Sequence, residues 1–238
     1  MELGIIGVGR FGRLAAKLLK NDFQVRVYDS RKSRCPQGVS WRPLSEVAAK
    51  PVVVLCVPIS EIKKTCLTIR PFLGPGQLIL DTCSVKVRPL TEMLRTLPEF
   101  VEILGTHPLF GPDSVRQGIR GLKIVLCPTR CQRLLEVKRY LREKGLDVIV
   151  STPDQHDREM AKTQALFHFL ARGIAKSGIQ IGRLSTPGPA QFFRDLAEVQ
   201  NDSPQLFQDL QTMNRYAAPA RRRLIRSLVE LDKALRRK

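Results

Sequence analysis

The stretch that decides the fold is Gly7-Val8-Gly9-Arg10-Phe11-Gly12. It stands between a short apolar run, Glu2 to Ile6, and Leu14-Ala15-Ala16-Lys17-Leu18-Leu19, so its context is strand, tight turn and helix. Gly7 allows the sharp bend, Gly9 lets a pyrophosphate approach the backbone, and Gly12 lets helix and strand pack closely. The helix start then presents free amides and the positive end of its dipole to an anion. A bare GxGxxG is weak evidence. In this context it points to a bound dinucleotide, with Gly7, Gly9, Arg10, Phe11 and Gly12 as contacts.

Outward from the loop, a second strand, Gln24 to Tyr28, ends in Asp29-Ser30-Arg31-Lys32. An acidic residue here takes the adenosine ribose hydroxyls of NAD, whereas a nearby Arg and hydroxyl accommodate the extra phosphate of NADP. Asp29 argues for the first; Ser30, Arg31, Lys32 and Arg34 argue for the second, and both forms stay open. The spacing then predicts a short helix over Leu44 to Lys50 and a buried strand over Val52 to Val57, ended by Pro58. A helix follows from Ile59 to Ile69, and a strand over Gln77 to Leu80 runs into Asp81-Thr82-Cys83-Ser84-Val85-Lys86. After a helix through Leu94 comes a strand over Phe100 to Leu104, with Gly105-Thr106-His107-Pro108-Leu109-Phe110-Gly111-Pro112-Asp113 as the loop that leaves it. Strands over Leu122 to Cys127 and Asp147 to Val150, separated by a helix, complete the pattern.

Strands alternating with helices specify an α/β fold, here an N-terminal doubly wound, Rossmann-type nucleotide-binding sheet, with ligands bound outside the carboxyl ends of its strands. The glycine loop, Asp29, Pro58, Ser84 and His107 all fall at such ends and should border one crevice. A His before a Pro is held extended, and an imidazole on a rigid loop suits proton transfer near neutral pH. The competing reading is a structural His in a kinked turn; convergence at the strand ends favours function.

Beyond residue 150 the strand signal disappears. The expected division is a dinucleotide-binding domain over 1–150 and an all-helical substrate and dimerisation domain over 151–238. Asp154 to Ser177 reads as one helix with Met160, Phe167, Leu170 and Ile174 on its apolar face, and Gln164 and His168, four apart, on another. For His168 the ordinary reading is a satisfied core histidine. Pro187, Gly188 and Pro189 break the chain before helices near Gln191 to Gln200 and from Pro204 to the C-terminus. A helical tail of this size suits a homodimer interface.

The 238 residues, 43% hydrophobic and 26% charged, are those of a globular chain. No apolar run is long enough for a bilayer span, and the N-terminus enters a strand without a signal-peptide region, so a cytoplasmic protein without membrane contact is expected. With six cysteines but no CxxC pair and only three histidines, no zinc site is expected. The net charge of +18, densest through Arg215, Arg221, Arg222, Arg223, Arg226, Lys233, Arg236, Arg237 and Lys238, raises nucleic-acid binding as an alternative. Few aromatics are present to stack bases, so no nucleic-acid partner is expected.

Three motifs behind the glycine loop are similar to those of a known family: DTCSVK (Asp81 to Lys86), GTHPLFGPD (Gly105 to Asp113) and DQHDREMAKTQALFHF (Asp154 to Phe169). With Asn201-Asp202-Ser203-Pro204-Gln205-Leu206-Phe207, the chain resembles the prephenate and arogenate dehydrogenases of tyrosine biosynthesis over nearly its whole length. The resemblance implies an oxidative decarboxylation of a small-molecule substrate, with hydride passing to NAD or NADP and a ring becoming aromatic. It implies that His107 is the catalytic base, Ser84 a hydroxyl that bonds the substrate ring oxygen and His107, and Gln164 and His168 pocket residues. His156 resembles a supporting residue. Many bacterial members place an Arg where this chain has Glu198, which leaves Arg194 and Arg215 as substitutes for gripping a carboxylate. The NDSPQLF segment is most like the plant-type members, in which an acidic residue goes with arogenate. A carboxylate at Asp202 would pair with the arogenate ammonium and offer nothing to the prephenate ketone. Ser30 and Arg31 fit the plant-type NADP pattern, from which Asp29 departs. The lean is to arogenate, and slightly to NADP. A β-hydroxyacid or imine-reductase type of dehydrogenase would leave the HPLFGP loop without a reason; a pocket holding His107, Ser84 and His168 together would argue against a nucleotide-sensing nucleic-acid binder.

Overall fold

The structure, a computed structural model, describes residues 1–115 and 117–236, without the side chain of Ser33. Arg237 and Lys238 of the basic run lie outside the described residues. The elements are β1 (Glu2–Ile6), α1 (Arg10–Leu19), β2 (Gln24–Tyr28), β3 (Ser40–Trp41), α2 (Leu44–Ala48), β4 (Val52–Leu55) and α3 (Ile62–Ile69). Next come β5 (Leu78–Asp81), α4 (Val87–Thr96), β6 (Glu102–Pro108), β7 (Lys123–Arg130), α5 (Leu134–Glu143) and β8 (Asp147–Val150). The remainder is helical: α6 (Pro153–Lys162), α7 (Gln164–Ser177), α8 (Pro187–Gln200), α9 (Pro204–Met213) and α10 (Ala217–Leu235). The chain divides into two compact units, Met1–His156 and Asp157–Lys238.

The first unit is a Rossmann-type sheet in the order β3-β2-β1-β4-β5-β6-β7-β8. Its central strands β4 and β5 are buried along their whole length, as strands covered on both faces must be. The register Ile6↔Leu55, Leu55↔Asp81 and Asp81↔Gly105 brings the carboxyl ends of β1, β4, β5 and β6 level. The strand-end residues named from sequence therefore share one edge of the sheet.

Sequence reading and structure part at several places, each for a physical reason. His107 is not on a loop leaving a strand: β6 runs on through Pro108, pairing His107 with Val125 of β7. The extended backbone that Pro imposes on its predecessor serves a strand as well as a turn. Among the described residues no helix separates β6 from β7, and a connection without a crossover leaves them antiparallel, so the last two strands reverse the sheet direction. The expected helix from Asp154 to Ser177 is two, kinked at Thr163, whose hydroxyl bonds the Glu159 carbonyl at 3.0 Å. Pro187 does not break the chain but opens α8 at its first turn, where a missing N–H costs nothing. The C-terminal stretch is likewise divided at Asn214. The two-residue β3 is too short to carry a period.

The second unit is all helical. Its α7 packs against α8, α9 and α10 around Ala171, Leu196 and Val199, with Phe167 and Ile174 alongside. Among the described residues no helix is long and apolar enough to cross a membrane.

Candidate functional site

The glycine loop separates into residues the fold needs and one that it does not. Gly7 has φ +95°, and a Cβ there would meet the Cys56 carbonyl at 2.4 Å. A Cβ on Gly12 would lie 2.0 Å from the Gly7 carbonyl. Gly9 faces open space, with nothing within 4 Å. It is also the N-cap of α1, which has no side-chain cap and no acidic residue in its first turn. An uncapped helix start with room above a glycine fits a phosphate.

Asp29 is turned toward this loop. One carboxylate oxygen accepts the Val8 amide at 2.8 Å; the other accepts the Arg31 amide at 2.9 Å and lies 3.7 Å from Arg34. The carboxylate is buried, while Ser30, Arg31 and Lys32 are exposed. Arg10 bridges from α1 to Asp113 at 2.6 Å, tying the glycine loop to the segment after β6. Pro58 is exposed at the end of β4, where it caps a short helical turn.

His107 lies on the face of β6 shared with Ile103 and Gly105, two residues apart along the strand. Gly105 lets α4 approach: a Cβ there would meet Leu90 at 2.7 Å. The imidazole is 3% exposed, and its Nδ1 lies 2.8 Å from His156 Nε2, the rings meeting edge to face. Burial, with lesser contributions from His156 and Lys86, holds His107 well below the usual histidine range, so it is neutral at pH 7. Ser84, half-buried at the end of β5, does not bond His107 in this state; His156 occupies that role at Nδ1.

Lys86 was quoted in a motif without a role and proves central. Its ammonium is wholly buried, paired with Asp81 and bonded to the Thr106 carbonyl at 2.6 Å. Thr106 in turn donates its hydroxyl to the Asp81 carbonyl at 2.6 Å, and Asp81 accepts the Cys83 amide at 3.0 Å. This bracket fixes β5 against β6 one residue before His107. The nearby thiols are inert: burial pushes Cys56 and Cys66 up to about 12. All six cysteines are free, and among the described residues no His, Cys, Asp and Glu cluster is arranged to hold a metal.

In the second unit the structure brings His168 and Asp202 together and adds Arg172, with Gln164 one turn before His168 on α7. His168 Nε2 lies 3.8 Å from an Asp202 carboxylate oxygen, and Arg172 donates to the Asp202 main-chain carbonyl at 2.7 Å. Burial lowers the His168 imidazole below its ordinary range; Asp202 opposes this shift and Arg172 adds to it. Gln164 Oε1, His168 Nδ1 and Arg172 Nε are buried without a hydrogen-bond partner. Arg172 was missed from sequence, yet 164, 168 and 172 step by four along one helix face, and that spacing is the signal that finds it. Arg215 stands elsewhere in this unit, exposed beside Tyr216 with its guanidinium 5.0 Å from the ring. Arg194 bonds Gln191 at 2.7 Å, and Glu198 is exposed on α8.

Two family models match the chain. The nucleotide-binding domain of prephenate dehydrogenase matches residues 15–150, and its dimerization domain matches residues 152–238. Arogenate dehydrogenase 1 of Arabidopsis thaliana, a chloroplastic protein, is 30% identical over 99% of this chain and 39% of its own length. A probable arogenate/prephenate dehydrogenase of Methanocaldococcus jannaschii is 27% identical over 90% of this chain and 52% of its own. This chain thus spans about half or less of those two curated relatives. Among solved structures, prephenate dehydrogenase from A. aeolicus with hydroxyphenyl propionate and NAD+ superposes with TM-score 0.81 at 22% identity, covering 100% of this chain and 91% of that one.

Proposed function

The chain belongs to the prephenate dehydrogenase family, and from that premise we propose that it is an arogenate dehydrogenase. It would decarboxylate L-arogenate oxidatively to L-tyrosine and pass the hydride to NADP. The observation that carries the reading is His107: a buried, neutral imidazole paired with His156 at the edge of the sheet that also bears the glycine loop.

A base for the ring 4-hydroxyl must be neutral and must hold its lone pair toward the substrate. In the tautomer that serves this role, Nδ1–H is donated to His156 Nε2 and the free lone pair of His107 is at Nε2. When Nε2 takes the hydroxyl proton, the new charge shortens and strengthens the bond to His156. That bond offsets part of the desolvation that keeps the resting ring neutral. Ser84, at the end of β5, is the hydroxyl proposed to orient the ring oxygen. A nicotinamide dinucleotide, held by Gly7, Gly9, Arg10, Phe11, Gly12 and the Asp29 to Arg31 segment, with Pro58 at the next strand end, supplies the hydride acceptor. The ring carboxylate leaves as CO2, and aromatisation drives the reaction without a further electron sink.

Two features favour the finer assignments. Asp202 carries a carboxylate suited to the arogenate ammonium, with His168 beside it. Asp29 spends both oxygens on amides while Arg31 and Lys32 stand exposed, an arrangement that suits a 2′-phosphate. We place a homodimer interface on α10, where Ile225, Leu228, Val229 and Leu235 are exposed along one side. Leu228→Asp should leave a monomer in sedimentation.

The test is a four-way assay of arogenate and prephenate, each with NADP and NAD, followed by absorbance of the reduced nicotinamide. Arogenate with NADP should be fastest. No turnover in any combination removes the reading.

A further inference from the structure

The dehydrogenase reading leaves a question: what holds the substrate's side-chain carboxylate? The second unit supplies an answer. On α7, Gln164, His168 and Arg172 form one row, and each keeps a buried polar atom without a partner. Buried groups are nearly always bonded, so three exceptions in one row mark a place where something else completes them. The chemistry of the three is mixed. Gln164 Oε1 is an acceptor, Arg172 Nε–H is a donor, and His168 Nδ1 serves as either according to its tautomer. Across from the row is Asp202, one-third exposed, its main chain held by Arg172 at 2.7 Å and its carboxylate 3.8 Å from His168. The guanidinium lies 5.6 Å from the Phe207 ring, which fixes its plane. One cation, Arg172, and one carboxylate, Asp202, lie beside His168 with a spare donor at hand, and the two charges match a ligand that carries both on adjacent atoms. That ligand is an α-amino acid head group.

Resting on the dehydrogenase reading for its substrate class, we propose that Arg172 is the carboxylate-binding residue of an amino-acid clamp. Arg172 takes the α-carboxylate, and Asp202 takes the α-ammonium. A 2-oxo acid would engage Arg172 alone and offer no cation to Asp202, so the clamp selects amino acid over keto acid.

The test uses the full-length protein and three probes, measured by calorimetry. L-Tyrosine carries both charges, 3-(4-hydroxyphenyl)propionate only the carboxylate, and tyramine only the ammonium. Arg172→Gln should weaken L-tyrosine and the propionate roughly ten- to a hundredfold and leave tyramine unchanged, as expected for a lost charge-assisted pair. Asp202→Asn should weaken L-tyrosine and tyramine and spare the propionate. Equal loss of all three probes in Arg172→Gln, or loss of none, overturns the proposal, as does an unaltered protein that does not bind L-tyrosine. Should circular dichroism show Arg172→Gln unfolded, Arg172→Lys keeps the charge; it should weaken the two carboxylates severalfold and spare tyramine, and uniform loss again overturns the clamp. The two readings fail separately. A protein with this probe pattern that oxidises neither substrate retains the clamp and loses the dehydrogenase assignment; turnover with indifferent probes does the reverse.

Discussion

The polar cluster of the sheet unit and that of the helical unit are built on opposite principles. Around His107 the protein completes its own hydrogen bonds: His156 takes Nδ1, Lys86 is shared between Asp81 and the Thr106 carbonyl, and only Asp81 Oδ1 is left over. Around Asp202 three polar atoms on α7 are left incomplete. A group that moves a proton needs a fixed tautomer and a fixed position before substrate arrives, so its partners belong to the protein. A group that recognises substrate must keep bonds in reserve. On the proposed reading, the pattern of satisfied and unsatisfied atoms separates the group that reacts from the groups that recognise.

The largest test of the contrast is His107→Asn. Loss of the base should lower kcat roughly a hundred- to ten-thousandfold while the dinucleotide dissociation constant stays put. A drop confined to KM would mean that His107 recognises rather than reacts, and the two clusters would no longer differ in kind.

Next comes Lys86→Met, which strands the Asp81 carboxylate in a wholly buried site. Breaking one half of a buried pair should cost about 3–5 kcal/mol in denaturant unfolding. Asp81→Asn combined with Lys86→Met should recover a good part of it. A second readout separates positioning from stability. Lys86 helps to hold His107 low, so its removal raises that pKa and moves the acid limb of the kcat/KM profile to higher pH. An unmoved limb in a folded variant removes Lys86 from the site.

These residues show how far sequence reaches. The sheet was legible because β1, β2 and β4 carry their pattern locally, in Gly-bounded apolar runs, and the strand ends follow from it. His107 and Ser84 were legible as strand-end residues. What was not legible depends on pairing at a distance. The extension of β6 through Pro108 is decided by β7 lying alongside, and nothing in Gly105 to Pro108 announces that partner. Lys86 reads as a surface residue until Asp81 and Thr106 close around it. Arg172 sat in plain spacing with Gln164 and His168, but a basic residue on a helix is ordinarily a solvated one. Asp29 was named, yet which way its carboxylate turns is set by the Val8 amide, and no strand pattern encodes that.

A smaller effect tests both clusters through pH. His107 and His168 both lie below the ordinary histidine value of 6.5 in the folded protein. The unfolded chain takes up their protons at that value while the native protein refuses them. Stability is therefore complete above about pH 6.5 and falls as pH drops below it, by at most about 1.4 kcal/mol per pH unit for each histidine. Denaturant unfolding at pH 7.5 and 5.5 should show the loss. His168→Gln should remove one share of it and His107→Asn the other; a flat profile in the unaltered protein would contradict the burial of both rings.

The smallest effect sharpens the contrast most. Ser203 caps α9, its hydroxyl accepting the Leu206 amide at 3.1 Å, and it directly follows Asp202. Ser203→Ala should cost about 1 kcal/mol of stability, as lost caps do, and Ser203→Asp should restore most of it. Asp202 is held independently, through its main-chain carbonyl, by Arg172 at 2.7 Å. Tyramine affinity should therefore change less than about twofold in Ser203→Ala, since the Arg172 bond to Asp202 is left in place. Were that affinity to fall about tenfold, the cap rather than Arg172 would set the position of Asp202. The recognition cluster would then be organised by its own turn, in the way the sheet cluster is organised by Lys86, and the distinction between a completed site and a reserved one would narrow to the three unmet atoms on α7 alone.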